Sequence, residues 1–208
     1  MRYPSVPCRT VVLGVVVAVL TGCATPRVTQ GTNDPYEAQN RAVHAYNKRS
    51  DRTFLRPVSQ AYGKSVPEPL RNGISNFAGN IDLPRSVVND VLQANVDDAA
   101  HNAVRFLINS TFGIAGIFDP ASAWGLDART SDFGETLHVW GATEGHYVEL
   151  PVLGPSTKRD AFGRLVDFFL NPVSYVLPTP ERYAGPAAGF ASRIGDRYRF
   201  SQTVDSIL

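Results

Sequence analysis

The chain has 208 residues, 20 basic and 19 acidic, for a formal net charge of +1. So even a balance excludes the basic surplus of a nucleic-acid binder, and the length suits one domain. Both cysteines, Cys8 and Cys23, fall at the amino end, so no disulfide framework is available to the body.

Residues 1–22 carry Arg2 and Arg9 and then the apolar stretch Val11–Leu20, ending in Leu20-Thr21-Gly22-Cys23. A basic start, a short apolar run and small residues at the cut mark a secretory signal. Ten apolar residues are half of the roughly 20 that a helix needs to span a bilayer. The L-T-G-C tetrad is the lipobox of bacterial lipoproteins. Cys23 is therefore expected to be acylated and to become the first mature residue. Ala24 follows it, where an aspartate would favour retention in the inner membrane. Residues 23–33 are polar and aperiodic and read as a flexible tether. Two bases and no acids leave with the leader, so the mature net charge becomes −1.

Helix signals dominate from Asp34 onward. Asp34-Pro35-Tyr36-Glu37 predicts a helix start, with Asp34 as N-cap and Pro35 in the first turn, running to about Ser50. Pro67 and Pro69 introduce a second helix with Leu70, Ile74 and Phe77 on one face. Pro84 is expected to open the longest helix, to about Ser110. Along it Val87, Val88, Val91, Leu92 and Leu107 alternate with polar residues such as Asn89, Asp90, Asn102 and Arg105 at a period near 3.6. The charge-free run Thr111–Phe118 follows, with Gly113 and Gly116. It suits either a turn packed between helices or a segment in contact with lipid. Asp132-Phe133-Gly134-Glu135 reads as a capping box for a short helix that stops at Gly141. An extended segment is expected near 146–152, and Thr157-Lys158-Arg159-Asp160 opens another helix. Residues 171–180 form a proline-rich break, and a last helix is expected over about 186–208. The fold class is thus all-α, and 34–208 is its domain.

A catalytic constellation cannot be assembled. His44, His101, His138 and His146 lack metal-ligand spacing, and no nucleophile elbow exists. Gly63-Lys64-Ser65 imitates the end of a phosphate loop, but Val58 occupies the place of its first glycine. Asp97 and Asp98 are adjacent on a helix, so they diverge and suit a solvated face. No catalytic residue, metal ligand or cofactor site is expected.

The blocks DPYEAQNR (34–41), PEPLRNGISNFAGNIDLP (67–84), NAVRFLINSTFGIAGIFDPAS (102–122), FGETLHVWG (133–141) and YVELPVLGPSTKRD (147–160) resemble the VacJ/MlaA family of outer-membrane lipoproteins. The resemblance runs in order from Asp34 to about Pro172. It implies a ring-like body of amphipathic helices, lipid-anchored on the periplasmic side of the outer membrane. It further implies a non-enzymatic protein that removes phospholipid from the outer leaflet and passes it to a soluble periplasmic carrier, in some members beside a trimeric porin. A porin-associated scaffold that moves no lipid is the competing reading, and a tethered hydrolase a third. Family members continue into a further D-P-Y segment where this chain ends at Leu208, which leaves the packing of that end open.

Baring the roughly 28 methylenes of a two-chain lipid to water costs on the order of 20 kcal/mol. A conduit must shield those tails while giving the headgroup a polar path. Within such a body the uncharged residues Phe112, Ile114, Ile117 and Phe118 are the candidates for contact with acyl chains.

Overall fold

The computed structural model describes residues 34–207. Residues up to Tyr36 and the body from Glu37 onward form two separate units. In the first, Asp34 Oδ1 accepts from the Tyr36 amide at 2.9 Å. Cys23 and the tether lie outside the described residues.

The body is helical with one small hairpin. Helix α1 spans Glu37–Ser50, two residues later than the Pro35 start. A π-helical turn, Asp51–Leu55, leads into α2, Arg56–Ser65, with Pro57 in its first turn. Neither element is signalled by the apolar spacing, because the turn is fixed by a distant partner. Buried Asp51 receives Nε and Nη2 of Arg197 at 2.7 and 2.8 Å.

The expected helix boundary at Pro84 is wrong. Helix α3 runs unbroken from Glu68 to Leu92 with Pro84 inside it, and α4 is Val96–Thr111. An interior proline removes one ladder bond and crowds the preceding turn. Here Leu83 and Ser86 are both buried, so packing on either side holds the helix on course. The true stop is local. The amides of Ala94 and Asn95 donate to Val91 O and Asp90 O at 3.0 and 2.8 Å, with Ala94 at φ 58°. That is a Schellman ending with alanine at the left-handed position. Asn95 then caps α4 by accepting from the Asp98 amide at 3.2 Å.

Helix α5, Pro120–Ala123, is capped by Asp119. Helix α6, Phe133–Val139, begins on the predicted box, with Asp132 Oδ1 accepting from the Glu135 amide at 2.9 Å. The Trp140 indole N–H donates to Leu92 O at 2.9 Å and meets an orphan carbonyl at the end of α3. The extended segment is strand β1, Tyr147–Leu150, paired antiparallel with β2, Gly154–Thr157, in the register Tyr147↔Thr157 to Leu150↔Gly154. Helix α7, Lys158–Leu170, starts at the predicted Thr157 cap, which accepts from the Asp160 amide at 3.1 Å. A single helical turn, α8 (Val173–Val176), interrupts the proline-rich break. The expected last helix is two helices, α9 (Ala184–Arg199) and α10 (Ser201–Ile207), divided at Phe200.

Most of the fully buried side chains are polar, and many large apolar side chains are exposed beside charged ones. Among the described residues, four apolar side chains are buried (Leu83, Ala99, Ala121 and Ile194) against fifteen polar or charged ones. The helical period is as expected, but the polar stripe faces inward. Asn102 Nδ2 donates to Asp90 Oδ2 and to Arg129 O, both at 2.7 Å, joining α4 to α3. Asn89 donates to Asp167 Oδ1 at 3.0 Å and accepts from the Thr136 hydroxyl at 3.1 Å, so α3, α6 and α7 meet through one asparagine. Meanwhile Val96, Val104 and Leu107 of α4 are exposed. Asp97 and Asp98 lie on a solvated face as expected, where both accept from exposed Arg129 Nη1, at 3.0 and 2.6 Å.

Candidate functional site: an apolar loop on a polar frame

The segment after α4 turns back on itself through three consecutive left-handed residues, Ile114 (φ 53°), Ala115 (φ 56°) and Gly116 (φ 90°). A β-branched residue rarely adopts this conformation, which costs about 1–2 kcal/mol. The turn is nevertheless closed by amides of Ala115, Gly116 and Phe118 donating to Ser110 O, Asn109 O and Gly113 O at 3.0, 2.8 and 2.9 Å.

Asparagines of α3 fasten its backbone. Asn76 donates to Ile117 O at 3.2 Å, and Asn80 donates to Ser110 Oγ at 3.0 Å and to Ala115 O at 3.4 Å. On the far side, Arg105 and Asn109 of α4 donate to Asp119 at 3.2 and 2.8 Å, and the Ala121 amide returns a bond to Asn109 Oδ1 at 3.1 Å. Burial raises the Asp119 carboxyl's pKa, but the Ser122 hydroxyl, Asn109 and Arg105 outweigh it and hold it below the usual carboxylate range.

With the backbone satisfied, the side chains are free to face outward. Phe112 is 70 % exposed, Ile114 63 %, Ile117 44 % and Phe118 59 %. The structure thus brings all four sequence candidates onto one exposed loop. It adds Trp124, exposed, whose ring lies 5.8 Å from Phe112. Trp124 and the anchoring asparagines are absent from the sequence reading. The pair Asn76 and Asn80 carried a signal: two poor helix formers four apart on one helix face.

A second feature is a largely apolar cavity of about 500 Å3 between the π-turn and α9, lined by Tyr46, Phe54, Leu55, Val152 and Phe190 together with Arg49, Ser50 and Thr53. The hairpin tip beside it is clasped by α1. Asn47 donates to Leu150 O at 2.9 Å and accepts from the Val152 amide at 2.7 Å, and Asn40 accepts from the Glu149 amide at 2.8 Å. Burial raises the pKa of Glu149, but Tyr147, Asn47 and His44 together hold its carboxyl below the ordinary range. His44 Nδ1 stands 3.5 Å from Glu149 Oε1, and His101 Nε2 lies 2.7 Å from Asp127 O. Among the described residues no cluster could hold a metal ion, and no helix is long and apolar enough to cross a membrane.

The fold is thus a helical body whose buried side chains are mostly polar and hydrogen-bonded and whose surface carries many exposed apolar groups. Comparison makes the class specific: the MlaA lipoprotein family model matches residues 32–208, and the chain belongs to that family. It is 36% identical over 163 residues to the Escherichia coli intermembrane phospholipid transport system lipoprotein MlaA, covering 76% of this chain and 65% of that one. The Haemophilus influenzae protein of the same name is 34% identical over 176 residues, covering 81% and 68%. A solved structure reported under "Structural basis for maintenance of bacterial outer membrane lipid asymmetry" matches with a TM-score of 0.70 and 33% identity, covering 82% of this chain and 86% of that one. The chain spans between 57% and 68% of the length of the curated relatives it matches.

Proposed function

We propose that this chain is an outer-membrane lipoprotein, anchored through Cys23 on the periplasmic side, that removes phospholipid from the outer leaflet and hands it to a soluble periplasmic carrier. No bond is made or broken in this role, and no cofactor takes part. A porin trimer is a further expected neighbour. The observation that carries the reading is the set of large apolar side chains left exposed around a mostly polar buried network. Exposed phenyl, indole and branched side chains favour acyl surroundings, while the buried polar groups bond to one another and hold the helices together. Phe112, Ile114, Ile117 and Phe118 seat the loop among acyl chains. A passive conduit lets lipid move downhill, so any bias in direction comes from its partners.

Outer-leaflet phospholipid in intact cells tests this. Deletion should raise it, this chain should restore it, and the Cys23→Ala form should not. No rise on deletion would overturn lipid removal and favour the porin-scaffold reading.

A further inference from the structure

A cavity of about 150 Å3 lies between the end of α2, the first turns of α3 and the C-terminal half of α9. That is room for several waters or one small polar group. Two residues of each charge line it: Glu68 and Asp196, Arg71 and Arg199. The cations are held in place. Arg71 Nη1 donates to Gly63 O at 2.7 Å and its guanidinium lies 5.3 Å from the Tyr198 ring centroid. Arg199 Nη2 donates to Asn72 Oδ1 at 3.1 Å. Gly63 lets the Tyr198 ring lie against α2, since a Cβ there would stand 2.1 Å from its Cγ. The hydroxyls of Ser75 and Ser192, 3.0 Å apart, tie α3 to α9.

The anions are not so engaged. Among the described residues, neither the Glu68 nor the Asp196 carboxylate has a hydrogen-bond or ion-pair partner, and no salt bridge joins any two of the four charges. The Tyr62 hydroxyl, on another lining residue, is shielded from solvent and also unpartnered. Opposite charges placed around one cavity without neutralising each other match a ligand that carries both signs itself. A purely anionic group would meet the two cations but also face two carboxylates.

We propose that this cavity binds the zwitterionic headgroup of a phosphoethanolamine-type phospholipid, with the phosphodiester toward Arg71 and Arg199 and the ammonium toward Glu68 and Asp196. The proposal rests on reading the body as a phospholipid conduit. It predicts selection of a zwitterionic headgroup over an anionic one such as phosphatidylglycerol.

The test uses the purified chain in neutral maltoside micelles with equal phosphatidylethanolamine and phosphatidylglycerol, and mass spectrometry of the lipid that co-purifies. The wild type is expected to favour phosphatidylethanolamine by about fivefold, the scale of one or two exposed ion pairs. Glu68→Gln combined with Asp196→Asn should bring the ratio near one with total lipid unchanged. Arg199→Gln, at an exposed position, should lower retention of both lipids. Lipid retained by the wild type at a ratio of one overturns the headgroup proposal alone, whereas no retained lipid overturns the conduit reading. Soluble phosphoethanolamine should displace the zwitterionic lipid and inorganic phosphate should not. Equal displacement by phosphate would reduce the site to a bare anion site and overturn the ammonium half.

Discussion

Gly116 lies against Asn80 so closely that a Cβ on the glycine would stand 2.4 Å from the Asn80 Cβ. Because Asn80 sits on the backbone of α3, it cannot withdraw without losing its bonds to Ser110 and Ala115. Gly116→Ala adds this clash to a φ of 90°. A loss of about 2–4 kcal/mol is expected. Thermal melting in detergent would read it, and a change near zero would show that the loop is not docked through this contact.

Ile114 separates fold from function. Asparagine tolerates the left-handed region that isoleucine resists, so Ile114→Asn relieves about 1 kcal/mol of strain. The melting midpoint should rise by a few degrees. The same change removes an outward apolar side chain worth about 1.5–3 kcal/mol in lipid. Co-sedimentation with phospholipid vesicles should therefore weaken roughly tenfold. Unchanged vesicle binding would remove Ile114 from the contact surface.

Arg197→Met leaves buried Asp51 without its bidentate partner and leaves Asp205, which accepts from Arg197 at 2.7 Å, with Arg56 alone. Stranding a buried carboxylate costs about 3–5 kcal/mol. Denaturant unfolding should show it, and Asp51→Asn in the same background should recover a large part.

The hairpin clasp should respond to acid. The folded-state pKa of Glu149 is depressed, so its contribution is present above the unfolded value near 4.5 and is lost as pH falls through the lower folded value. The melting difference between wild type and Glu149→Gln should be full at pH 7 and shrink progressively as pH falls below the unfolded value near 4.5. A difference independent of pH would assign the effect to shape rather than charge.

What could be read from sequence was local. The Asp132 and Thr157 caps each depend on an amide three residues away, and both stand where the spacing put them. The exposed apolar loop was visible because a charge-free run is a composition signal. The misread boundary at Pro84 came from a local rule overruled by packing at Leu83 and Ser86. The π-turn and α2 escaped because Asp51 answers to a residue 146 positions away. The zwitterionic cavity was invisible for the same reason: Glu68 and Arg71 meet Asp196 and Arg199 only through the crossing of α3 and α9. The amphipathic period was correct, yet period alone does not say which stripe faces in.

Amide and carboxylate bonds in the interior, beneath a skin that mixes charged groups with many exposed phenyl and aliphatic ones, make the surrounding medium a component of the fold. In a bilayer the internal bonds face no competing solvent and the skin is at home. In water the skin seeks other copies of itself while water competes for every bond within. On the proposed outer-membrane placement, such a chain would face water between export and arrival, the interval in which its exposed apolar groups are least covered. On that reading acyl chains would act on it as a ligand, stabilising the folded form in proportion to how well they cover it.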